Sequence, residues 1–520
     1  MVSTQHSVAR NSFIVAILMG MSTVLGLIRE SSVAFMFGAS SVTDSYLIAM
    51  IIPTSISGII SSSITFTFVT VYSSYLAHGK SDEGRRMSSV LISFLLILLS
   101  VLLIVLILFT PSLIKLIAPS YIGQQLALTV SLTRVMMPTL FFGGLIGVFV
   151  GINNSHHSFF APASIGLVSN IIIIFSIYVF GRLWGIYGLA AGVTMGSLAQ
   201  LLLQIPAVSK HGFRFKFVLD LHNEGFREVL ALLSPFIVAA AANQIYLVVD
   251  RTIATGLPSG SVSALYFANR LVFLPYFIIT GALGTVIYPV LVNAATLQNW
   301  EKLVDEFQKA IRLILLILIP LIIELYLLRV EFIRILFQHG LFSVEEAQIT
   351  ASTVPYFLGS LFFGVLVTLL VNLYFSTKNM FLAVGTGVIA VLINIALCLL
   401  LAPTMHQYGL ALANSISSFI NFILLFMGLF MVLKLHRKVK VRIAPFIKLG
   451  CQLAIAGLIM SISILILMYM TQRLPSGKVL VNIIPLIVAG LGFIIYTLVI
   501  YALKIEEIRY LMNKLVEKGH

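Results

Sequence analysis

Charge is what this chain has least of: charged residues fill 10% of its 520 positions, while hydrophobic residues fill 59%. Soluble domains carry roughly a quarter charged residues, and a chain this poor in them cannot cover a water-facing surface. The shortage excludes a soluble fold, disorder, collagen and coiled coil together. Cysteine is nearly missing too. Cys398 and Cys451 both lie in apolar runs, which excludes a disulfide framework and a CxxC metal site. There is no Walker A loop, so ATP hydrolysis by this chain is excluded. His156 and His157 are adjacent in a turn, where neighbours cannot form a chelate alone. No metal site, cofactor motif or catalytic constellation emerges, and a non-enzymatic role is expected.

Long apolar runs are abundant. Dividing the 520 residues by about 35, a spanning helix plus its connection, predicts roughly fourteen or fifteen helices. The runs themselves number fourteen: 11–37, 42–75, 87–117, 123–152, 160–181, 184–208, 227–256, 261–294, 310–338, 346–376, 380–402, 408–434, 443–471 and 479–503. The first lacks a small-x-small cleavage site and reads as a retained helix. The fold class expected is an all-α polytopic membrane protein.

The basic surplus, 32 Lys and Arg against 18 Asp and Glu, sorts by side. Alternate connections collect Arg10, then Lys80, Arg85 and Arg86, then Lys210, Arg214, Lys216 and Arg227, then Lys302, Lys309 and Arg312. Lys378, the run Lys434, Arg437, Lys438, Lys440 and Arg442, and the tail residues Lys504, Arg509, Lys514 and Lys518 fall on the same side. The opposite side holds Lys115, Arg182, Arg473 and Lys478. By the positive-inside rule both termini are expected in the cytoplasm. The surplus therefore calls for no nucleic acid.

An internal repeat organises the spans. Leu140, Phe141, Phe142 and Gly143 recur as Leu361, Phe362, Phe363 and Gly364, and Tyr187, Gly188, Leu189 and Ala190 as Tyr408, Gly409, Leu410 and Ala411. At a nearly equal offset Ser41, Val42 and Tyr46 meet Ser261, Val262 and Tyr266. The chain thus divides into a first six-helix lobe over 1–221, a second over 222–441, and two extra helices with a tail over 442–520. Six is an even number, so the copies are expected to be parallel. Two such lobes are a transporter plan, with substrate held near the midplane and access alternating by rocking.

Ionisable residues inside spans cost at least about 2.5 to 3.5 kcal/mol each at the centre of an isolated helix and mark function by default. Arg29 and Arg270 each fall roughly 15 Å below the outer edge of the apolar layer at 1.5 Å per residue, with Glu30 beside Arg29. Arg134 is a candidate third cation at comparable depth. The bland alternative is a set of ion pairs: Arg29 with Asp44, Arg270 with Asp250, and Glu331 with Arg334. Glu324 has no local partner in the sequence. Arginine forks suit phosphate oxygens, so Arg29 and Arg270 point to a transported anion. Gly26, Pro53, Gly58, Pro138, Gly143, Gly144, Pro275, Gly281 and Gly284 are candidate kink positions.

At these residues the sequence resembles the MurJ (MviN) type lipid II flippases of the multidrug/oligosaccharidyl-lipid/polysaccharide exporter superfamily, over essentially the whole chain. Ser22, Leu25, Gly26, Arg29 and Glu30 match the family's SRxLGxxRD pattern, with Glu for the usual Asp. Thr43, Asp44, Ala49 and Pro53 match the start of its second helix, GSVSALYFANRL through Asn269, Arg270 and Leu271 its eighth-helix motif, and FQHGLFS from Phe337 to Ser343 a further one. The resemblance implies export of an undecaprenyl-diphosphate-linked peptidoglycan precursor across a bacterial inner membrane. It implies substrate contacts at Ser22, Arg29, Glu30, Asp44, Asn269 and Arg270, with cell-wall synthesis proteins as partners. The last two helices are implied to form a lipid-tail groove. A family sodium site falls on Asp250, Asn394, Cys398, Leu410 and Asn414, where Cys398 replaces an expected carboxylate. The driving force stays open among Na+, H+ and membrane potential. Family arginines are replaced by Thr23 and Ser57 and a family glutamate by Ser62. These losses keep open another polyprenyl-diphosphate saccharide, of exopolysaccharide or O-antigen type, as cargo. A cation-coupled drug exporter is the runner-up of another class, disfavoured by midplane arginines. A non-enzymatic scaffold for cell-wall assembly is the third reading, and it predicts indifference to those arginines.

Overall fold

The computed structural model describes residues 2–435, 444–471 and 478–505. Arg437, Lys438, Lys440, Arg442, Arg473, Arg509, Lys514 and Lys518, used above to sort sides, lie outside the described residues. All regular structure among the described residues is helical: α1 (Val2–Phe37), α2 (Ser41–Ala49), α3 (Ile51–Ala77), α4 (Ser81–Ile117), α5 (Gly123–Met136), α6 (Pro138–Ser155), α7 (Phe160–Ala163), α8 (Ile165–Trp184) and α9 (Ile186–Ser209). Then follow α10 (Glu224–Ala254), α11 (Ser261–Ala282), a π-turn (Leu283–Ile287), α12 (Tyr288–Thr296), α13 (Trp300–Leu327), α14 (Arg329–Phe337), α15 (Val344–Ser376), α16 (Met380–Leu435), α17 (Ala444–Thr471) and α18 (Lys478–Ala502). Twelve described helical pieces are long and apolar enough to cross a membrane. Two features separate this from fourteen. Residues 380–429 count as one piece although the backbone turns sharply at His406 (φ 51, ψ −134), and α10 is not among the twelve.

Several expected kinks are real breaks. The second span divides at Met50, three residues before Pro53, and the fourth at Met137, before Pro138. The eighth span relaxes into the π-turn around Gly284, as happens where the i→i−4 ladder loosens. The repeat also shows in the backbone of each copy. Gly185 (φ 58, ψ −137) and His406 (φ 51, ψ −134) make the same sharp turn between consecutive helices, and His157 (φ 55) and Lys378 (φ 61) end equivalent helices in the left-handed region.

Contacts divide the chain into two compact units, Met1–Ser263 with His339–Phe342, and Ala264–Gln338 with Ser343–His520. In the first unit α3 packs on α6, α8 on α9 and on α1, and α10 on α3. The α3–α6 contact is close because Gly143, Gly147 and Gly151 recur every fourth residue. A Cβ on Gly143 would overlap Ser57 Oγ, and one on Gly147 would lie 2.7 Å from the Ser61 carbonyl oxygen. Small residues at this spacing let helices approach in a membrane, where packing rather than water exclusion drives association. Phe68, Tyr72, Met87, Leu91, Leu140, Ile152 and Phe226 fill the adjoining core. In the second unit α15 packs on α16 and α17 on α18; Leu453, Met460 and Ile464 meet Val488, Tyr496 and Leu316 in its core.

Candidate functional site

In the first unit the site is built on α1 and α8. Arg29 sits in the continuous α1, where one Nη donates to Asn170 Oδ1 at 3.1 Å and the other pairs with Glu30. Asn170 in turn donates its amide to the Ser22 carbonyl at 2.9 Å, so one α8 side chain fixes both Arg29 and the backbone two turns earlier. Gly26 packs against this amide, and a Cβ there would meet Asn170 Nδ2 at 3.6 Å, an ordinary contact distance. Arg29 keeps 24% of its side-chain surface exposed while Glu30 keeps 5%. The arrangement is a half-buried guanidinium oriented from two sides, with its charge balanced by the adjacent carboxylate. Glu30 is therefore the carboxylate beside Arg29, and the alternative pairing of Arg29 with Asp44 is not formed.

Asp44 is engaged elsewhere. It is buried, and its oxygens accept from Gly260 N (2.7 Å), Ser263 N (2.8 Å) and Ser263 Oγ (2.5 Å). That is a carboxylate capping the N-terminus of α11 from a distant helix, satisfying orphan amide groups and complementing the helix dipole. Gly260 adopts φ +86 with the Ala39 carbonyl 2.6 Å from where a Cβ would be, so glycine is required there. Arg134 is exposed and donates to the Ile107 carbonyl of α4 at 3.3 Å; the structure does not group it with Arg29.

In the second unit Arg270 lies along α11. Its Nη2 donates to Tyr266 Oη at 2.9 Å, and its guanidinium carbon stands 4.8 Å from the Tyr266 ring centroid. Asn269 beside it is exposed. The predicted ion pair of Glu331 with Arg334 is not formed among the described residues. Glu324 Oε1 accepts no hydrogen bond, and nothing in the structure explains it. Asp250 lies on α10 in the first unit. Of the implied sodium ligands in the second unit, Asn394 Oδ1 already takes the Cys398 thiol as donor at 3.7 Å and the Leu410 carbonyl takes Asn414 Nδ2 at 3.2 Å. Asn394 Nδ2 donates to Ser417 Oγ at 3.3 Å. In this second-unit set the Asn394 and Leu410 oxygens each already accept one hydrogen bond, and Cys398 stands where a carboxylate is expected, so the set is a poor fit to a hard cation, which wants charged or free oxygen donors.

Asn170 is the residue that sequence reasoning missed. Its signal in the sequence is a lone amide in an otherwise apolar run, IGLVSNIIIIF, which carries no charge to mark it. Ser57, where the family carries an arginine, donates to the Thr139 carbonyl at 3.1 Å and faces Gly143; it is part of the α3–α6 contact. The adjacent histidines also part company. His156 stacks on His211 at 4.4 Å with rings parallel within 2° and meets Tyr72 Oη at 3.4 Å. His157 turns to Phe159.

The helical fold is also found in solved membrane proteins. A multidrug resistance MATE family transporter of the MOP superfamily, in its inward-facing conformation, matches 81% of this chain and 99% of its own, at a TM-score of 0.62 and 14% identity. A lipid II flippase MurJ in an inward closed conformation matches 94% of this chain and 99% of its own, at a TM-score of 0.78 and 23% identity. These likenesses show the fold, which this chain shares with both structures. Residues 33–484 match the family model described as lipid II flippase MurJ, and the chain belongs to that family. Among curated relatives named probable lipid II flippase MurJ, that of Buchnera aphidicola subsp. Acyrthosiphon pisum is 30% identical over 79% of this chain and 81% of its own. That of Bdellovibrio bacteriovorus is 27% identical over 94% of each.

Proposed function

We propose that this protein moves lipid II, an undecaprenyl-diphosphate-linked peptidoglycan precursor, from the inner to the outer leaflet of a bacterial inner membrane by alternating access. The observation that carries the reading is Arg29, a guanidinium held inside a span by Asn170 and Glu30 in a chain of this family. The curated relatives carry the lipid II name, which leaves the wider set of saccharide cargoes without support. Arg29 and Arg270 bind the diphosphate through charge-assisted hydrogen bonds, which match forked guanidinium to phosphate oxygens. Glu30 balances Arg29 while the carrier is empty, lowering the cost of the buried charge. The incoming diphosphate competes for the same guanidinium, and that competition keeps the complex releasable, as a carrier requires. The prenyl chain stays in lipid. Both termini face the cytoplasm, where the basic connections cluster.

An interior-negative potential favours outward movement of the anion by about 2.3 kcal/mol per charge per 100 mV, and this is the driving force that the reading needs. Cell-wall synthesis proteins are the partners it calls for, supplying lipid II on one side and consuming it on the other. The test is transport of fluorescent lipid II by protein in liposomes. Arg29→Ala with Arg270→Ala should slow transport tenfold or more, given about 1.5–3 kcal/mol per charge-assisted bond. Wild-type rates from a normally expressed double variant would overturn the reading.

A further inference from the structure

The first unit holds a cavity of about 800 Å³ that the reading above leaves unused, between one face of α3 and the end of α6 with the turn beyond it. Its wall runs along α3 from Thr65 to Ala77, about 18 Å at 1.5 Å per residue. It lies toward the C-terminal end of α3, shortly before Lys80 in the chain, on the side that the basic residues assign to the cytoplasm. Its chemistry is distinctive for a membrane protein. Among the lining residues none is Lys, Arg, Asp or Glu. Phe66 and Phe159 present rings that are 62% and 38% exposed. Between them stand Thr70, Asn154, Ser155 and His157. Ser155 Oγ accepts from Ser73 Oγ at 3.2 Å and keeps its own hydrogen to give. Thr70 Oγ1 donates to the Phe66 carbonyl at 2.9 Å and keeps lone pairs to accept.

We infer that this cavity is a subsite for the saccharide part of the lipid-linked substrate, taking a neutral ring rich in hydroxyl and acetamido groups; the inference rests on the function proposed above. Hydroxyl, amide and imidazole groups satisfy sugar hydroxyls in both directions. Phe66 stacks on Phe236 with ring centroids 6.0 Å apart, and the ring surface left exposed offers an electron-rich face to the C–H face of a pyranose. A cavity with no cation in its walls does not fit the carboxylates of a stem peptide or the diphosphate, and its hydroxyl, amide and imidazole groups would go unsatisfied against a prenyl chain. The volume lies in the range of small-molecule sites. The headgroup is thus divided by charge: arginines for the diphosphate, an uncharged pocket for the sugar.

The probe is di-N-acetylchitobiose, followed by saturation-transfer difference NMR on the detergent-solubilised full chain. Wild type should transfer saturation to the acetyl and ring protons, and Thr70→Val with Asn154→Leu should abolish it. The same double variant should raise the apparent KM for lipid II in liposomes roughly tenfold, as expected for about two lost hydrogen bonds. Should that variant fail to fold by melting and gel filtration, Phe66→Leu, which keeps the apolar bulk and removes the ring, must lose the transfer instead. Absence of transfer in wild type at tens of millimolar sugar, equal transfer in the variants, or competition by a stem peptide in place of the disaccharide would each overturn the inference. If wild type binds the disaccharide but does not move lipid II, the proposed function fails and the pocket stands. If the double variant moves lipid II with unchanged KM, the pocket fails alone.

Discussion

A single amide does more for the arginine than any carboxylate at a distance. Asn170 holds Arg29 through Oδ1 and the Ser22 carbonyl through Nδ2, so Asn170→Leu should leave Arg29 charged but misaimed. A loss of about tenfold in lipid II transport is expected, in line with about 1.5–3 kcal/mol for a hydrogen bond to a charged group. Asn170→Gln should recover part of it; a leucine variant that transports normally would sink the positioning role. The stacked histidines make a second prediction at this scale. Burial holds His156 below its ordinary value, with repulsion from His211, Arg85 and His157 adding to it, and burial lowers His211 as well. A histidine with a depressed pKa in the folded state binds fewer protons there than when unfolded. Its neutral form is favoured above the ordinary value near 6.5, and stability is lost as pH falls below that. The melting temperature should fall between pH 7.5 and 5.5, and His211→Phe should flatten the dependence. Arg29, Glu30 and Arg270 were legible in the sequence because charge in an apolar run is conspicuous. Asn170 and the true partner of Asp44 were not, because both depend on residues more than a hundred positions away.

Helices here are shaped by their interruptions. Turns at Gly185 and His406 have almost the same angles, yet only the first copy has the residue that adopts them without strain. A backbone at φ 51 and ψ −134 is a glycine conformation, and other residues held there cost of order 1–3 kcal/mol. His406→Gly should therefore stabilise the protein by about 1 kcal/mol, read as a rise in melting temperature, and a lower melting temperature would contradict the assignment. The glycines at 143, 147 and 151 show the converse: any side chain would push α6 off α3. Their periodicity is plain in the sequence, but which helix they meet is set by packing, and so is the fate of Ser57. Proline and glycine positions foretold the breaks at Met50 and Met137 and the π-turn near Gly284. Gly26 did not break α1, which runs unbroken from Val2 to Phe37.

For the whole molecule, apolar length and the sorting of charge define a multi-pass membrane protein, and the orientation proposed for it can be tested directly. In a Cys398→Ala, Cys451→Ser background, Lys115→Cys should react with a membrane-impermeant maleimide on intact cells, whereas Lys80→Cys should react only after disruption. Both lysines are exposed, so the reverse pattern would invert the topology. The repeat survives at this scale as matching turns in each copy, although compactness assigns α10 to the first unit, not to the copy in which the sequence repeat places it.

The sequence by itself determined that the chain crosses a membrane many times, that it is built twice from one helical plan, and that arginines stand where lipid should be. These are properties of composition and period, written locally. Tertiary structure alone decided the partners that came from elsewhere in the chain, Asn170 for Arg29 and the start of α11 for Asp44, whereas Glu30 and Tyr266 are neighbours of Arg29 and Arg270 along their own helices. The reason is physical. In a medium without water a buried polar group must be satisfied by protein, and the groups that can satisfy it are chosen by how distant helices pack.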